Sequence, residues 1–139
     1  MSDSRTDIDR IMNPRSVAIV GASTDETKRG YQAIETLQAG GYEGEIYPVN
    51  PAADEIRGLQ VFQTVSAIPG RVDLALIVTP ARIVPEVLED CAETDLAGAV
   101  VVAVGFSESG EAGEELEREI VSLADEQGIR LIGPNTSGM

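Results

Sequence analysis

The sequence predicts an α/β domain: a Rossmann-like, doubly wound, mainly parallel sheet of about five strands with helices on both faces. Three observations carry this reading. β-branched apolar runs alternate with amphipathic helical patterns along the chain. The runs are apolar on both faces, as strands inside a parallel sheet are. The chain of 139 residues suits a single core. Alternation of strand and helix implies right-handed crossovers, which place helices on both faces of the sheet.

Residues 1–15 read as a polar leader closed by Asn13-Pro14, with Ile8, Ile11 and Met12 allowing one helical turn. Ser16-Val17-Ala18-Ile19-Val20 is a buried strand ended by Gly21. Tyr31 to Ala39 is a helix, because Ala33, Ile34 and Leu37 share one face and Gly40-Gly41 stops it. Glu45 to Val49 is a second strand, ending at Asn50-Pro51; Gly58 to Val65 reads as either a short strand or a loop. Val72 to Thr79 is a third clear strand, stopped by Pro80. Ile83, Val84, Val87, Leu88 and Cys91 form one apolar helix face, with Pro85 tolerated in the first turn. Ala99 to Val104 is a strand apolar on both faces. Leu116, Ile120, Leu123, Ala124 and Gln127 mark the next helix, capped by Gly128, with Glu114 and Arg118 paired on its wet side. Arg130-Leu131-Ile132 is the last strand before Gly133-Pro134, so the domain proper runs over 16–133.

Composition excludes several classes of function. Ten basic against 24 acidic residues leave a net charge of −14, and of the ten only Lys28 is lysine. Such a field repels nucleic acid and anionic membrane, so neither is expected as a partner. Acid excess together with loss of lysine is the pattern of a halophilic protein. No apolar stretch approaches the roughly 18 residues of a membrane span, and the N-terminus has no apolar signal core, so a cytoplasmic location is expected. The chain has no histidine, which rules out a histidine-based triad, a histidine metal site or a phosphohistidine within it. Cys91 is alone and lies on an apolar helix face, where a core role fits better than a nucleophile.

In a doubly wound sheet, ligands bind outside the carboxyl ends of the strands. Those ends are Gly21 to Thr24, Asn50-Pro51, Thr79-Pro80-Ala81, Gly105-Phe106-Ser107-Glu108 and Gly133 to Asn135. The turn Gly21-Ala22-Ser23-Thr24 is built of small residues between a strand and a helix, which bares backbone amides to an anion, and Lys28 and Arg29 lie in the same loop. A plain tight turn would need Gly21 and no ligand. The dinucleotide fingerprint fails here, because Ser23 and Glu26 stand where glycines are required and the second strand ends without an acidic residue. The P-loop pattern is absent as well. No acid–base pair and no activated nucleophile is legible, so no catalytic residue and no metal ligand is assigned.

The runs Val17-Ala18-Ile19-Val20-Gly21-Ala22-Ser23, Tyr47-Pro48-Val49-Asn50-Pro51, Gly105-Phe106-Ser107-Glu108 and Gly133-Pro134-Asn135, in this order and spacing, resemble the coenzyme A (CoA)-binding domain of NDP-forming acyl-CoA synthetases. Within that family the chain is similar to ADP-forming acetate–CoA ligases, relatives of the succinyl-CoA synthetase α subunit. The resemblance implies the reaction acyl-CoA + ADP + phosphate ⇌ acid + CoA + ATP, with CoA as the ligand of this chain. It implies that a phosphohistidine, ATP/ADP and Mg belong to other domains or a subunit, and that the full-length protein is an oligomer. Residues 134–139 then start a linker to a second domain, and the chain taken alone is an inactive fragment. Carried over by position, Gly21, Ala22, Ser23 and Lys28 face the CoA phosphates and Asn50-Pro51 flanks the adenosine. Thr79-Pro80-Ala81 and Gly105 to Glu108 line the pantetheine, and Asn135 nears the thiol. Many relatives carry a lysine after the Asn-Pro pair where Ala52 stands here, so Lys28, Arg29 and Arg57 are the candidates to replace it. A stand-alone or acetyltransferase-fused regulatory module that binds CoA is the alternative reading.

Overall fold

A computed structural model describes residues 6–92, 94–102 and 111–132. The elements run α1 (Asp7–Met12), β1 (Ser16–Val20), α2 (Arg29–Ala39), β2 (Glu45–Val49), β3 (Glu55–Ile56), β4 (Leu59–Gln60), β5 (Leu74–Ile77), a 3₁₀ turn (Ala81–Ile83), α3 (Val84–Cys91), β6 (Gly98–Val101), α4 (Glu111–Gln127) and β7 (Arg130–Ile132). Five strands form one sheet in the order β2-β1-β5-β6-β7, every pair parallel. β3 and β4 form a separate antiparallel hairpin. The expected Rossmann-like, doubly wound architecture is therefore present.

β1 shows why this sequence makes such a sheet. All five of its residues are buried. Ala18 and Val20 face one core, shared with Ala75, Ile77, Val84, Leu88 and Ile120; Val17 and Ile19 face the other, shared with Ala22 and Ile34. The alternation follows from the two-residue period of a strand. α2 covers one face of the sheet and α3 and α4 cover the other.

Two segments go further than the sequence expectation. The leader holds a six-residue helix, α1, with a capping box between Thr6 and Asp9. Its Arg10 is 1% exposed. The Arg10 guanidinium donates to the Asp73 carboxylate at 2.7 Å, to the Val72 carbonyl at 3.1 Å and to the Asp95 carbonyl at 2.6 Å. Asp73, 2% exposed, also accepts the Arg15 amide at 2.8 Å. α1 is thus bolted to the amino ends of β5 and β6 by charge-assisted hydrogen bonds, a tie across 63 residues of sequence.

The second segment overlaps Gly58 to Val65, which reads as either a short strand or a loop and holds both: β4 pairs with β3 and loop follows. Ile56 pairs with Leu59, so Arg57-Gly58 forms a two-residue turn with φ of +48° and +82°. Such turns favour asparagine at the first position. Arg57 takes it while its side chain reaches α2, donating to Gln38 Oε1 at 2.6 Å and Tyr31 Oη at 3.0 Å. Beyond the hairpin, Phe62 pairs with Val49 and covers the outer edge of β2.

Candidate functional site

The chain leaves β1 toward β2 on one side and reaches β5 on the other. The carboxyl ends of β1 and β5 therefore bound the switch-point crevice expected of this topology. A cavity of about 800 Å³ opens there. Its wall is made by Val20 to Ser23 after β1, Lys28 to Gly30 at the start of α2, Val49 to Pro51 after β2, Gln63 to Val65, Val78-Thr79 after β5, and Ile83, Glu86, Val87 and Asp90 on the α3 side.

The β1 turn is shaped by backbone contact. Gly21 has φ +94°, and a Cβ there would press on the Val78 carbonyl at 3.0 Å. The Gly21 and Ala22 amides both donate to the Val49 carbonyl, at 3.1 and 3.2 Å. Gly30 is required for a different reason: a Cβ on it would collide with the Gly21 carbonyl and with the Ala22 backbone. The first turn of α2 is thereby pressed against the β1 turn.

Between them, residues 23–28 hold themselves. The Ser23 hydroxyl accepts the Asp25 amide at 3.0 Å, and the Asp25 carboxylate accepts the Thr27 hydroxyl at 2.7 Å and amide at 2.9 Å. Those bonds from Thr27 hold the Asp25 carboxyl below its ordinary value. Lys28 is the N-cap of α2 and contributes no side-chain cap, and the first turn of α2 has no acidic residue. The opening amides of a helix have no intrahelical acceptor and carry the positive end of its dipole. Lys28 and Arg29, both exposed, line the crevice beside them. This arrangement suits a phosphate group. The other helix that starts at the crevice, α3, already has Glu86 in its first turn.

Of the residues singled out in the sequence, Gly21, Ala22, Ser23, Lys28, Arg29, Asn50, Pro51 and Thr79 meet in this crevice. Thr24, Pro80 and Ala81 are outside its lining. Gly105, Phe106, Ser107, Glu108 and Asn135 lie outside the described residues. Asn50 is engaged within the chain. Its side-chain amide donates to the Ala22 carbonyl at 2.7 Å, and its side-chain oxygen accepts the Ala52 amide at 2.7 Å. It staples the ends of β1 and β2 together. Arg57 is held on α2 by Gln38, Tyr31 and Glu35 and does not line the crevice, so among the described residues only Lys28 and Arg29 supply its cations.

The sequence reading missed Gly30 as a site residue, the segment Gln63-Thr64-Val65, and Glu86, Val87 and Asp90. A glycine at the first turn of a helix was a legible signal for Gly30. For the rest only the fold brings them in. Asp90 shapes the 63–66 wall, accepting the Val65 amide at 2.7 Å and the Ser66 hydroxyl.

Cys91 is buried, and burial followed by the charge of Asp90 pushes its thiol up to about 12. A thiol held protonated is no nucleophile. Among the described residues no group of three His, Cys, Asp or Glu side chains is placed to hold a metal ion, and no helix is long and apolar enough to cross a membrane.

A parallel sheet with its crevice at the switch point, and an anion-ready helix start on one side of it, defines a doubly wound ligand-binding domain. The family described as CoA binding domain matches residues 15–139, and the chain belongs to that family. It is 46% identical over 133 residues to the ADP-forming acetate–CoA ligase II of Archaeoglobus fulgidus, a match spanning 96% of this chain and 20% of that protein. It is 41% identical over 133 residues to the α subunit of the ADP-forming acetate–CoA ligase II of Pyrococcus furiosus, spanning 95% of this chain and 29% of that subunit. Among solved structures, a dinucleotide-forming acetyl-coenzyme A synthetase 1 of Ca. Korarchaeum cryptofilum, in complex with phosphate and ADP, superposes with a TM-score of 0.87 at 43% identity. That superposition covers 92% of this chain and 27% of the synthetase. The chain thus spans less than a third of the length of each of these relatives.

Proposed function

We propose that the chain binds CoA in the switch-point crevice and serves as the CoA-binding part of an ADP-forming acyl-CoA synthetase, which interconverts acyl-CoA, ADP and phosphate with acid, CoA and ATP. One observation carries the reading: the crevice joins Lys28, Arg29 and the uncapped start of α2 in a chain of net charge −14. The only lysine of the chain stands where an anion needs it.

In this reading the diphosphate lies over the Gly21 turn and the start of α2. Lys28 and Arg29 neutralise it, and the backbone amides of the first α2 turn donate to its oxygens, since the Gly21 and Ala22 amides are already engaged with the Val49 carbonyl. Asn50 keeps the ends of β1 and β2 at the spacing the ligand needs. Thr79, at the end of β5, lies along the pantetheine arm, with Gly105 to Glu108 and Asn135 assigned to the same arm by the resemblance. The chain supplies orientation and charge, not covalent chemistry. Transfer of a phosphoryl group through histidine calls for residues this chain does not contain. The halophilic character, the cytoplasmic location and assembly into an oligomer with further synthetase domains or a subunit belong to the same proposal.

Calorimetric titration of the chain with CoA and with NAD, in molar KCl, tests the ligand assignment. CoA is expected to bind more tightly, and tighter binding of NAD would sink the assignment. In a coupled assay the purified chain is expected to make no acyl-CoA from acid, ATP and CoA above a buffer control.

A further inference from the structure

We propose that Asp90 is a positioning residue for ligand binding: its carboxylate, carried on α3, holds the wall 63–66 in the shape that receives the ligand. The inference rests on the coenzyme reading above and deepens it, and it holds whichever part of the ligand meets this wall.

The first ground is how the wall is hung. Gln63, Thr64 and Val65 all line the crevice. Upstream the chain is fixed to β2, because the Phe62 amide donates to the Pro48 carbonyl and the Phe62 carbonyl accepts the Asn50 amide, each at 2.9 Å. Downstream, Val65 and Ile68 are buried in the core. Gln63 and Thr64 are exposed and cross between these two supports. A single turn follows, closed by the Ala67 amide on the Thr64 carbonyl at 3.3 Å and the Ile68 amide on the Val65 carbonyl at 3.1 Å. The opening amides of such a turn have no acceptor within it. Asp90 supplies one from 25 residues away, accepting the Val65 amide at 2.7 Å and the Ser66 amide at 3.4 Å, both on Oδ2.

The second ground is the direction of the protons. The Ser66 hydroxyl donates to Asp90 Oδ1, and a hydroxyl has one proton to give. The Thr64 hydroxyl is therefore the donor in its 3.2 Å bond to Ser66 Oγ, and its oxygen accepts the Ala67 amide at 3.2 Å. Thr64, Ser66 and Asp90 thus form one chain of bonds that ends on the carboxylate, and Asp90 orients the lining residue Thr64 through Ser66. The third ground is charge. In a chain of net charge −14, a carboxylate on the wall of an anion site repels the ligand. Its place there is explained by what it holds. Without the tether the wall samples other shapes, and the apparent affinity falls with the fraction of chains that keep the binding shape. The two effects of removing Asp90 have opposite signs: losing its charge tightens binding of an anion, and losing its hold weakens it.

The test is calorimetry of the whole chain with CoA in molar KCl, on the wild type, Asp90→Ala, Ser66→Ala, Ser66→Thr and Asp73→Ala, together with amide hydrogen exchange by NMR. Asp90→Ala is expected to bind CoA about tenfold more weakly, the cost of lost bonds to a charged group, and to speed exchange of the Val65 and Ser66 amides. Ser66→Ala keeps the charge and changes an exposed position; it is expected to lose about threefold, with Ser66→Thr within about twofold of the wild type because it keeps the hydroxyl. Asp73→Ala, which loosens the far, amino end of the sheet, is expected to bind CoA within about twofold of the wild type. Binding by Asp90→Ala as tight as the wild type or tighter overturns the proposal, and so does wild-type affinity in Ser66→Ala. Equal losses in Asp73→Ala and Asp90→Ala also overturn it, since the loss then follows stability and not position. In each of these cases binding of CoA by the wild type leaves the coenzyme reading intact. If CoA does not bind the wild type, that reading falls and takes the proposal with it.

Discussion

Replacing Asp73 by alanine removes the carboxylate that holds α1 on the sheet. Arg10 would keep its bonds to the Val72 and Asp95 carbonyls, and the Asp95 carboxylate stands at 3.7 Å, but that group is largely exposed. The guanidinium would remain buried with its nearest counter-charge gone, and the Arg15 amide would lose its acceptor. Breaking a buried pair from one side costs roughly 3–5 kcal/mol. The nearby Asp95 places this site at the lower end, about 3 kcal/mol. For 139 residues, at roughly 2.1 cal/mol/K per residue, the unfolding entropy is about 0.3 kcal/mol/K. The melting temperature is then expected to fall by about 10 °C. The check is thermal and urea unfolding in molar KCl, on Asp73→Ala, Arg10→Met and the double variant. Taking out both charges together is expected to cost less than the two single losses added, because neither charge then stays buried without the other. A loss below about 1 kcal/mol for Asp73→Ala, or strict additivity in the double variant, would refute the claim that this pair anchors α1.

Three further outcomes are expected. Gly30→Ala should lower stability by about 1–3 kcal/mol and weaken CoA binding, because its methyl would drive α2 off the Gly21 turn; an unchanged urea midpoint would contradict that contact. The melting temperature should rise from 0.01 M toward molar KCl, since screening shortens from about 30 Å to about 3 Å and relieves repulsion among the surplus carboxylates; a flat or falling trend would reject the halophilic reading. Cys91 should react with a thiol reagent at pH 8 only after unfolding in urea. Its folded value, about 12, lies above the unfolded one, so its share of stability is complete below about pH 9 and is lost as pH rises from there toward 12; fast labelling of the native chain would disprove its burial.

The amino-acid sequence by itself determined the α/β class and most of the elements. β1, β5 and β6 are legible because a strand inside a parallel sheet must be apolar on both faces, and 16–20 and 74–77 are written that way. α3 is legible because Val84, Val87, Leu88 and Cys91 repeat at helical spacing. The Gly21 turn with Lys28 and Arg29 is a local pattern, and its residues do meet in the crevice.

What the sequence concealed depends on distant partners. α1 is six residues long, too short to be stable alone; Arg10 and Asp73, 63 residues apart, hold it in place. The 55–60 hairpin lacks an asparagine–glycine turn, and Arg57 makes up for that with contacts on α2. Asn50 lines the crevice and also staples β1 to β2, a role the sequence does not show, since only the folded chain puts the Ala22 carbonyl within 2.7 Å of its amide. Gln63 to Val65 and the α3 carboxylates carry no local mark of a site. They reach the crevice because the strand order reverses beside β1, and that reversal is a property of how the whole sheet is assembled, not of any one segment.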